Sequence, residues 1–189
     1  MKSYVLEIPN SLSKHSCETI IKKFEAEKSL QYEGIVGPWE EVRKELKAST
    51  DICLYFNPQN DKDWQQHELM YALHNGVKKY VEQYPRVDQL AEWEVSEYYN
   101  VQKYLPNQGY FQWHCEDSVG NKRLLAWMIY LNTVHDQGGT EFDDDDIPDL
   151  NPQQGSLAIW PAYFTHFHRG IPSPTETKYI CTGWFEFKG

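Results

Sequence analysis

Apolar positions recur at helical spacing in only two stretches, both in the first half of the chain. Residues 13–27 set Cys17, Ile20, Ile21 and Phe24 on one face, with Ser13 placed to cap the start. Residues 62–84 do the same with Leu69, Leu73, Val77, Tyr80 and Val81, and Pro85 ends the run because it cannot continue a helix. Between them, 31–60 carries Gly34, Gly37, Pro38 and one apolar run, Asp51-Ile52-Cys53-Leu54-Tyr55-Phe56. That stretch reads as loop plus one strand.

Past residue 90 the pattern changes period. Segments 93–104, 110–117, 123–131, 156–160, 163–169 and 178–187 are aromatic or β-branched, as strands are. Turn signals separate them: Pro106-Asn107-Gln108-Gly109, Gly120-Asn121, Gln137-Gly138-Gly139, Pro152-Gln153-Gln154-Gly155 and Pro172-Ser173-Pro174. Helices followed by a run of strands predict an α+β, mainly β fold whose strands close into a sandwich or jelly roll. With no repeat and no linker, residues 1–189 read as one domain, 1–90 a helical support region and 91–189 the core strands.

Composition narrows the function classes. The formal net charge of -10 removes the basic footprint that grips phosphate, so nucleic acid is an unexpected partner. Cys17, Cys53, Cys115 and Cys181 lie far apart with no CxxC pair, which excludes zinc-ribbon spacing and argues against a disulfide framework. No apolar run has the length of a signal-peptide core or a membrane span, so a soluble, cytoplasmic protein is expected. The acidic run Asp143-Asp144-Asp145-Asp146 reads as a solvated loop.

The chemistry concentrates in Tyr110-Phe111-Gln112-Trp113-His114-Cys115-Glu116-Asp117. In a strand, alternate side chains share a face, so His114 and Glu116 point one way and Cys115 and Asp117 the other. An imidazole and a carboxylate on one face offer two ligands to a divalent metal. A histidine from a second strand completes the two-histidine, one-carboxylate set that leaves positions open on iron(II). Phe164-Thr165-His166-Phe167-His168-Arg169-Gly170 must supply it, and in a strand His166 and His168 share a face. Side-chain alternation alone leaves both in play.

The chain resembles the prolyl-4-hydroxylase-like branch of the 2-oxoglutarate- and iron(II)-dependent dioxygenases. Tyr104, Gly109-Tyr110 and His114-Cys115-Glu116 resemble that family's tyrosine, glycine-tyrosine and H-x-D segment. Met128-Ile129-Tyr130-Leu131-Asn132 and Gly138-Gly139-Thr140-Glu141-Phe142 resemble its central strand and glycine turn. Gly155 through Pro161 leads to the last motif, a histidine with a basic residue ten positions later. His168 has Lys178 at that distance, whereas His166 has Glu176, so the resemblance selects His168. The departure is Glu116 where most members carry aspartate.

The resemblance implies a distorted double-stranded β-helix, cupin-like, supported by N-terminal helices. It implies iron(II) held by His114, Glu116 and His168, with 2-oxoglutarate and dioxygen as cosubstrates and ascorbate as a reductant. Lys178 would pair with the distal carboxylate of 2-oxoglutarate, and Tyr104 would add a hydrogen bond. Trp113, Trp127 and Trp184 read as wall or core. The expected activity is hydroxylation of an unactivated C–H bond of a peptidyl proline or another amino-acid residue. Two rival readings are a nucleic-acid demethylase of the same fold and a non-catalytic metal-binding or jelly-roll binding protein.

Overall fold

Alternating side chains on long strands need cover on both sides, and the chain provides it by building a large sheet between helices and a second, smaller layer. A computed structural model describes residues 3–37, 41–57, 59, 64–117, 120 and 122–188. The strands are β1 (Leu6–Ile8), β2 (Tyr32–Glu33), β3 (Thr50–Tyr55), β4 (Trp93–Tyr104), β5 (Arg123–Tyr130), β6 (Thr140–Phe142), β7 (Leu157–Pro161), β8 (His168–Gly170) and β9 (Lys178–Phe187). The helices are α1 (Lys14–Ala26) and α2 (Gln66–Gln83). Seven strands form one antiparallel sheet in the order β1-β7-β5-β9-β4-β3-β2, and β6 pairs with β8 in a second. This is the mainly β, helix-supported double-stranded β-helix that the sequence leads one to expect.

α1 starts where Ser13 caps it: the Ser13 hydroxyl accepts from the Ser16 backbone N–H at 3.1 Å. Cys17, Ile20 and Phe24 are buried on its inner face, and Ile21 packs partly buried beside them. α2 ends before Pro85, which opens a short 3-10 turn, and it buries Leu69, Leu73 and Tyr80. Residues 62 and 63, the expected start of this helix, lie outside the described residues. Gly76 faces β7, where an added Cβ would come within 2.4 Å of Leu157 Cδ2, so the helix lies close against the sheet.

β4 and β9 have the expected limits and pair at nine positions from Trp93↔Phe187 to Tyr104↔Lys178, with a register shift between Val95 and Tyr99. The outer face of β4, β5 and β9 carries Tyr99, Val101, Trp127, Ile129, Cys181 and Phe185 into one apolar cluster with the helices. The inner face carries Tyr104, Met128, Tyr130, Ile180 and Trp184 toward β6 and β8.

Three expectations are corrected. Residues 1–90 are more than helical support, because β1, β2 and β3 join the main sheet. Segment 110–117 is not a strand: only Tyr110 and His114 make isolated bridges, to Lys47 and His168. Its backbone instead threads between two neighbours, with Phe111 N–H donating to Leu46, His114 N–H to His168 and Glu116 N–H to Ala162. Segment 163–169 is also broken, into a 3-10 turn at Phe164–His166 followed by the short β8. β6, which the alternation did not single out, pairs Phe142 with His168. The acidic run 143–146 is an exposed turn, as expected.

Candidate functional site

The inner face of the main sheet and the β6–β8 layer enclose a cavity of about 930 Å³. β9 contributes Lys178, Ile180, Thr182 and Trp184 to its wall, every second residue of one strand. β4 contributes Tyr98, Asn100, Gln102 and Tyr104 by the same alternation. Segment 110–117 and β8 supply the other side, with His114, Glu116 and His168.

These three side chains converge. Their donor atoms all lie within 4.8 Å of one another. Glu116 Oε1 lies 3.7 Å from His114 Nε2 and 3.5 Å from His168 Nε2. Backbone carbonyls fix both rings: His114 Nδ1–H donates to Gln112 at 2.9 Å and His168 Nδ1–H to His166 at 2.9 Å. A carbonyl can only accept, so Nδ1 carries a proton in each ring and Nε2 is the nitrogen turned to Glu116. Tyr110 stacks on the His114 ring at 3.7 Å, holding its plane. The two segments are also clamped by reciprocal backbone hydrogen bonds between His114 and His168, of 3.1 and 2.9 Å.

Charge states match the geometry. Burial pushes His114 down to about 4, helped by the neighbouring His168, so its ring is neutral at neutral pH. Burial acts to raise the Glu116 carboxyl, but His168, His114 and Arg123 outweigh it and hold the group at about 2. A neutral His114 and an ionised Glu116 are the protonation states that a divalent cation needs of those two groups. The residues present fit iron(II), with one nitrogen-rich side and room in the cavity for further oxygen ligands.

The broken backbone separates the two candidate histidines. His166 sits in the 3-10 turn, where its Nε2–H donates to the Ser3 carbonyl at 2.7 Å and its Nδ1 faces the Thr165 hydroxyl at 2.9 Å. Both of its nitrogens are engaged away from Glu116, so the shared face expected of a regular strand does not exist. Asp117, the alternative carboxylate, is exposed at the rim.

Lys178 lies deeper. It is 3% exposed, and its ammonium donates to the carbonyls of Gly138 at 2.7 Å and Ile171 at 3.2 Å. Gly138 presents that carbonyl from a left-handed conformation, φ +79, with Val134 too close to admit a Cβ. Burial lowers Lys178 to about 8, so it remains mostly charged at neutral pH. Among the described residues no carboxylate pairs with it. A third ammonium proton is free for an anion entering the cavity. Tyr104 puts its ring 5.1 Å from the ammonium, but its hydroxyl donates to Gln102 Oε1 at 2.8 Å.

Three partners of this site escaped the sequence reading. Lys47 and Asp51 form a buried ion pair of 2.6 Å at the cavity wall, and Gln102 also donates to Asp51 Oδ2. Lys47 lay in a stretch that reads as loop, and only the pair of opposite charges four residues apart marked it. Trp184, read as wall or core, donates its indole N–H to Glu116 Oε2 at 2.7 Å.

Comparison with known proteins agrees with this geometry. The family model described as the 2OG-Fe(II) oxygenase superfamily matches residues 99–186. No curated protein matches the chain in sequence. A crystal structure of a Pseudomonas putida prolyl-4-hydroxylase superposes with a TM-score of 0.69 at 17% identity, covering 98% of this chain and 94% of that one. The viral collagen prolyl hydroxylase of Paramecium Bursaria Chlorella virus-1, in its 2OG complex, gives a TM-score of 0.67 at 17% identity, over 98% and 97% of the two chains. A Trichoplax adhaerens prolyl hydroxylase, in complex with a hypoxia inducible factor oxygen degradation domain peptide fragment, gives 0.72 at 14% identity over 98% and 84%. At these identities the likeness is one of fold.

Proposed function

We propose that the chain, whose residues 99–186 match the 2OG-Fe(II) oxygenase superfamily model, is a hydroxylase whose iron(II) is held by His114, Glu116 and His168. The observation that carries the reading is the convergence of these three donors on one wall of a cavity whose depth holds a buried cation, Lys178. When bound, the iron supplies the oxidising chemistry that couples decarboxylation of 2-oxoglutarate to attack on an unactivated C–H bond, with dioxygen consumed and ascorbate as the reductant.

The protein's own part is placement. Lys178 takes the distal carboxylate of 2-oxoglutarate through its remaining N–H, a charge-assisted bond in a site from which water is largely excluded. Tyr104 shields that ammonium with its ring, and reaches the cosubstrate with its hydroxyl only by releasing Gln102. Trp160 and Ile180 add apolar surface to the lining of the same cavity. Tyr32, Tyr98 and Asn100 line the same cavity and offer polar groups to the substrate.

The substrate class we assign is a peptidyl proline or another amino-acid residue. The shared fold of the prolyl hydroxylases supports it, as does the net charge of -10, which disfavours the nucleic-acid alternative. The test is anaerobic: iron(II) plus 2-oxoglutarate should give a weak visible charge-transfer band. Succinate release is then followed over peptide, free amino-acid and nucleic-acid pools. A chain that binds neither iron(II) nor 2-oxoglutarate is a binding protein and not an oxygenase.

A further inference from the structure

A glutamate at the carboxylate position poses a mechanical problem. It has one more rotatable bond than aspartate, so it can swing, and it can bind a metal through both oxygens. A carboxylate bound that way occupies a position that the cosubstrate or dioxygen needs. The backbone offers no adjustment here, because Glu116 N–H donates to Ala162 and the Glu116 carbonyl accepts from Arg123 at 3.3 Å. Control must come from the side chain.

The two carboxylate oxygens have separate surroundings. Oε1 lies between the two imidazole Nε2 atoms. Oε2 accepts the Trp184 indole N–H at 2.7 Å, with Arg123 NH1 3.6 Å away. Trp184 is itself immobilised: it sits on β9, the Arg123 guanidinium stacks 3.6 Å over its ring, and Tyr98 packs against it at 5.4 Å. A rigid donor, held by Arg123 and Tyr98 against its ring, therefore engages the oxygen that faces away from the histidines.

We propose that Trp184 is a positioning residue that holds Glu116 Oε2, so that the carboxylate offers iron a single oxygen, Oε1. This rests on the iron-site reading above. It also accounts for the glutamate: its length fits the span between a fixed backbone and a fixed indole, and an aspartate at this position would lose one of its two contacts.

The test uses the full chain and iron(II) itself as probe. Trp184→Phe keeps a ring for Arg123 and removes the donor; iron(II) affinity should fall about 10- to 100-fold, the range for loss of a group that orients a ligand. The iron(II)–2-oxoglutarate band should shift as well. Glu116→Asp should weaken iron(II) binding in wild type but add little in the Trp184→Phe background, because both changes break the same contact. In the intact fold, the Trp184 indole proton resonance should move upfield on Glu116→Gln, a readout that needs no Trp184 variant to fold. An indole resonance that stays in place, or losses that multiply independently, would overturn the proposal. Wild type that binds iron(II) while Trp184→Phe binds equally well sinks this inference alone. Wild type that takes up no iron(II) sinks the iron reading and this inference with it.

Discussion

The same strands carry two unlike faces. Outward from β4, β5 and β9 point Tyr99, Val101, Trp127, Ile129, Cys181 and Phe185, all buried against the helices. Inward from the same strands point Asn100, Gln102, Thr182 and Lys178, toward the cavity. One residue of offset separates a wholly apolar face from one whose polar groups sit among Tyr104, Met128, Tyr130, Ile180 and Trp184. The difference shows that stability and function are divided here by strand alternation and not by region of the chain, so variants on the two faces should behave oppositely.

The largest contrast is expected at the metal. His168→Ala should abolish the iron(II)–2-oxoglutarate band while leaving the melting temperature of the metal-free chain little changed; His166→Ala should retain the band. A band that survives the first and disappears in the second would reverse the assignment. On the outer face, Trp127→Ala should cost about 3–5 kcal/mol of stability in urea unfolding, because it empties the densest part of the core. Gly183→Ala should also destabilise, since its Cβ would meet Trp127 Cζ2 at 2.7 Å.

Lys178→Met should act in the other direction. The buried ammonium is held down from 10.5 to about 8, so its removal should stabilise the metal-free chain by up to about 3 kcal/mol, less whatever its two carbonyl contacts contribute. The same variant should lose 2-oxoglutarate affinity. A destabilised variant with unchanged affinity would show that Lys178 is a structural cation.

The pH effect has the same origin and is spread over the window between the two values. The sign follows from a folded value below the unfolded one: the cost of burying the charge is complete below about 8 and is relieved as pH rises from there to 10.5. Metal-free stability should therefore climb over that window while 2-oxoglutarate affinity falls by about tenfold per pH unit, 1.4 kcal/mol. The smallest change is expected at the rim, where Arg169 pairs with Glu141 at 3.0 and 3.1 Å in partial exposure. Arg169→Ala should move stability by less than about 1 kcal/mol.

What could be read in the sequence follows from the same division. β4 and β9 are long and alternate apolar with polar residues, so their limits were visible, as were α1 and its Ser13 cap. The segments that carry the proposed ligands read as continuous strands, whereas 110–117 holds only isolated bridges and 163–169 becomes a 3-10 turn followed by the short β8. Their hydrogen bonds go to Leu46, Ala162 and each other in an irregular pattern that no local periodicity records. His114 and Glu116 still converge, whereas His166 and His168 part because a 3-10 turn intervenes. Lys47 and Trp184 were invisible as site residues for another reason: their roles depend on partners distant in sequence, Trp184 on Glu116 and Lys47 on the ring of Tyr110.

The reciprocal backbone bonds between His114 and His168 have a consequence for how the site is loaded. Two ligands far apart along the chain are tied together by peptide groups, so the entropy of closing the intervening loop is lost when the polypeptide folds and not when the ion arrives. Small zinc domains are the opposite case, since their chain collapses only around the metal. Here a chelator should strip the ion and leave a socket of unchanged shape. Exchange of one metal for another then becomes a local event, which makes occupancy follow the metals that the surroundings supply.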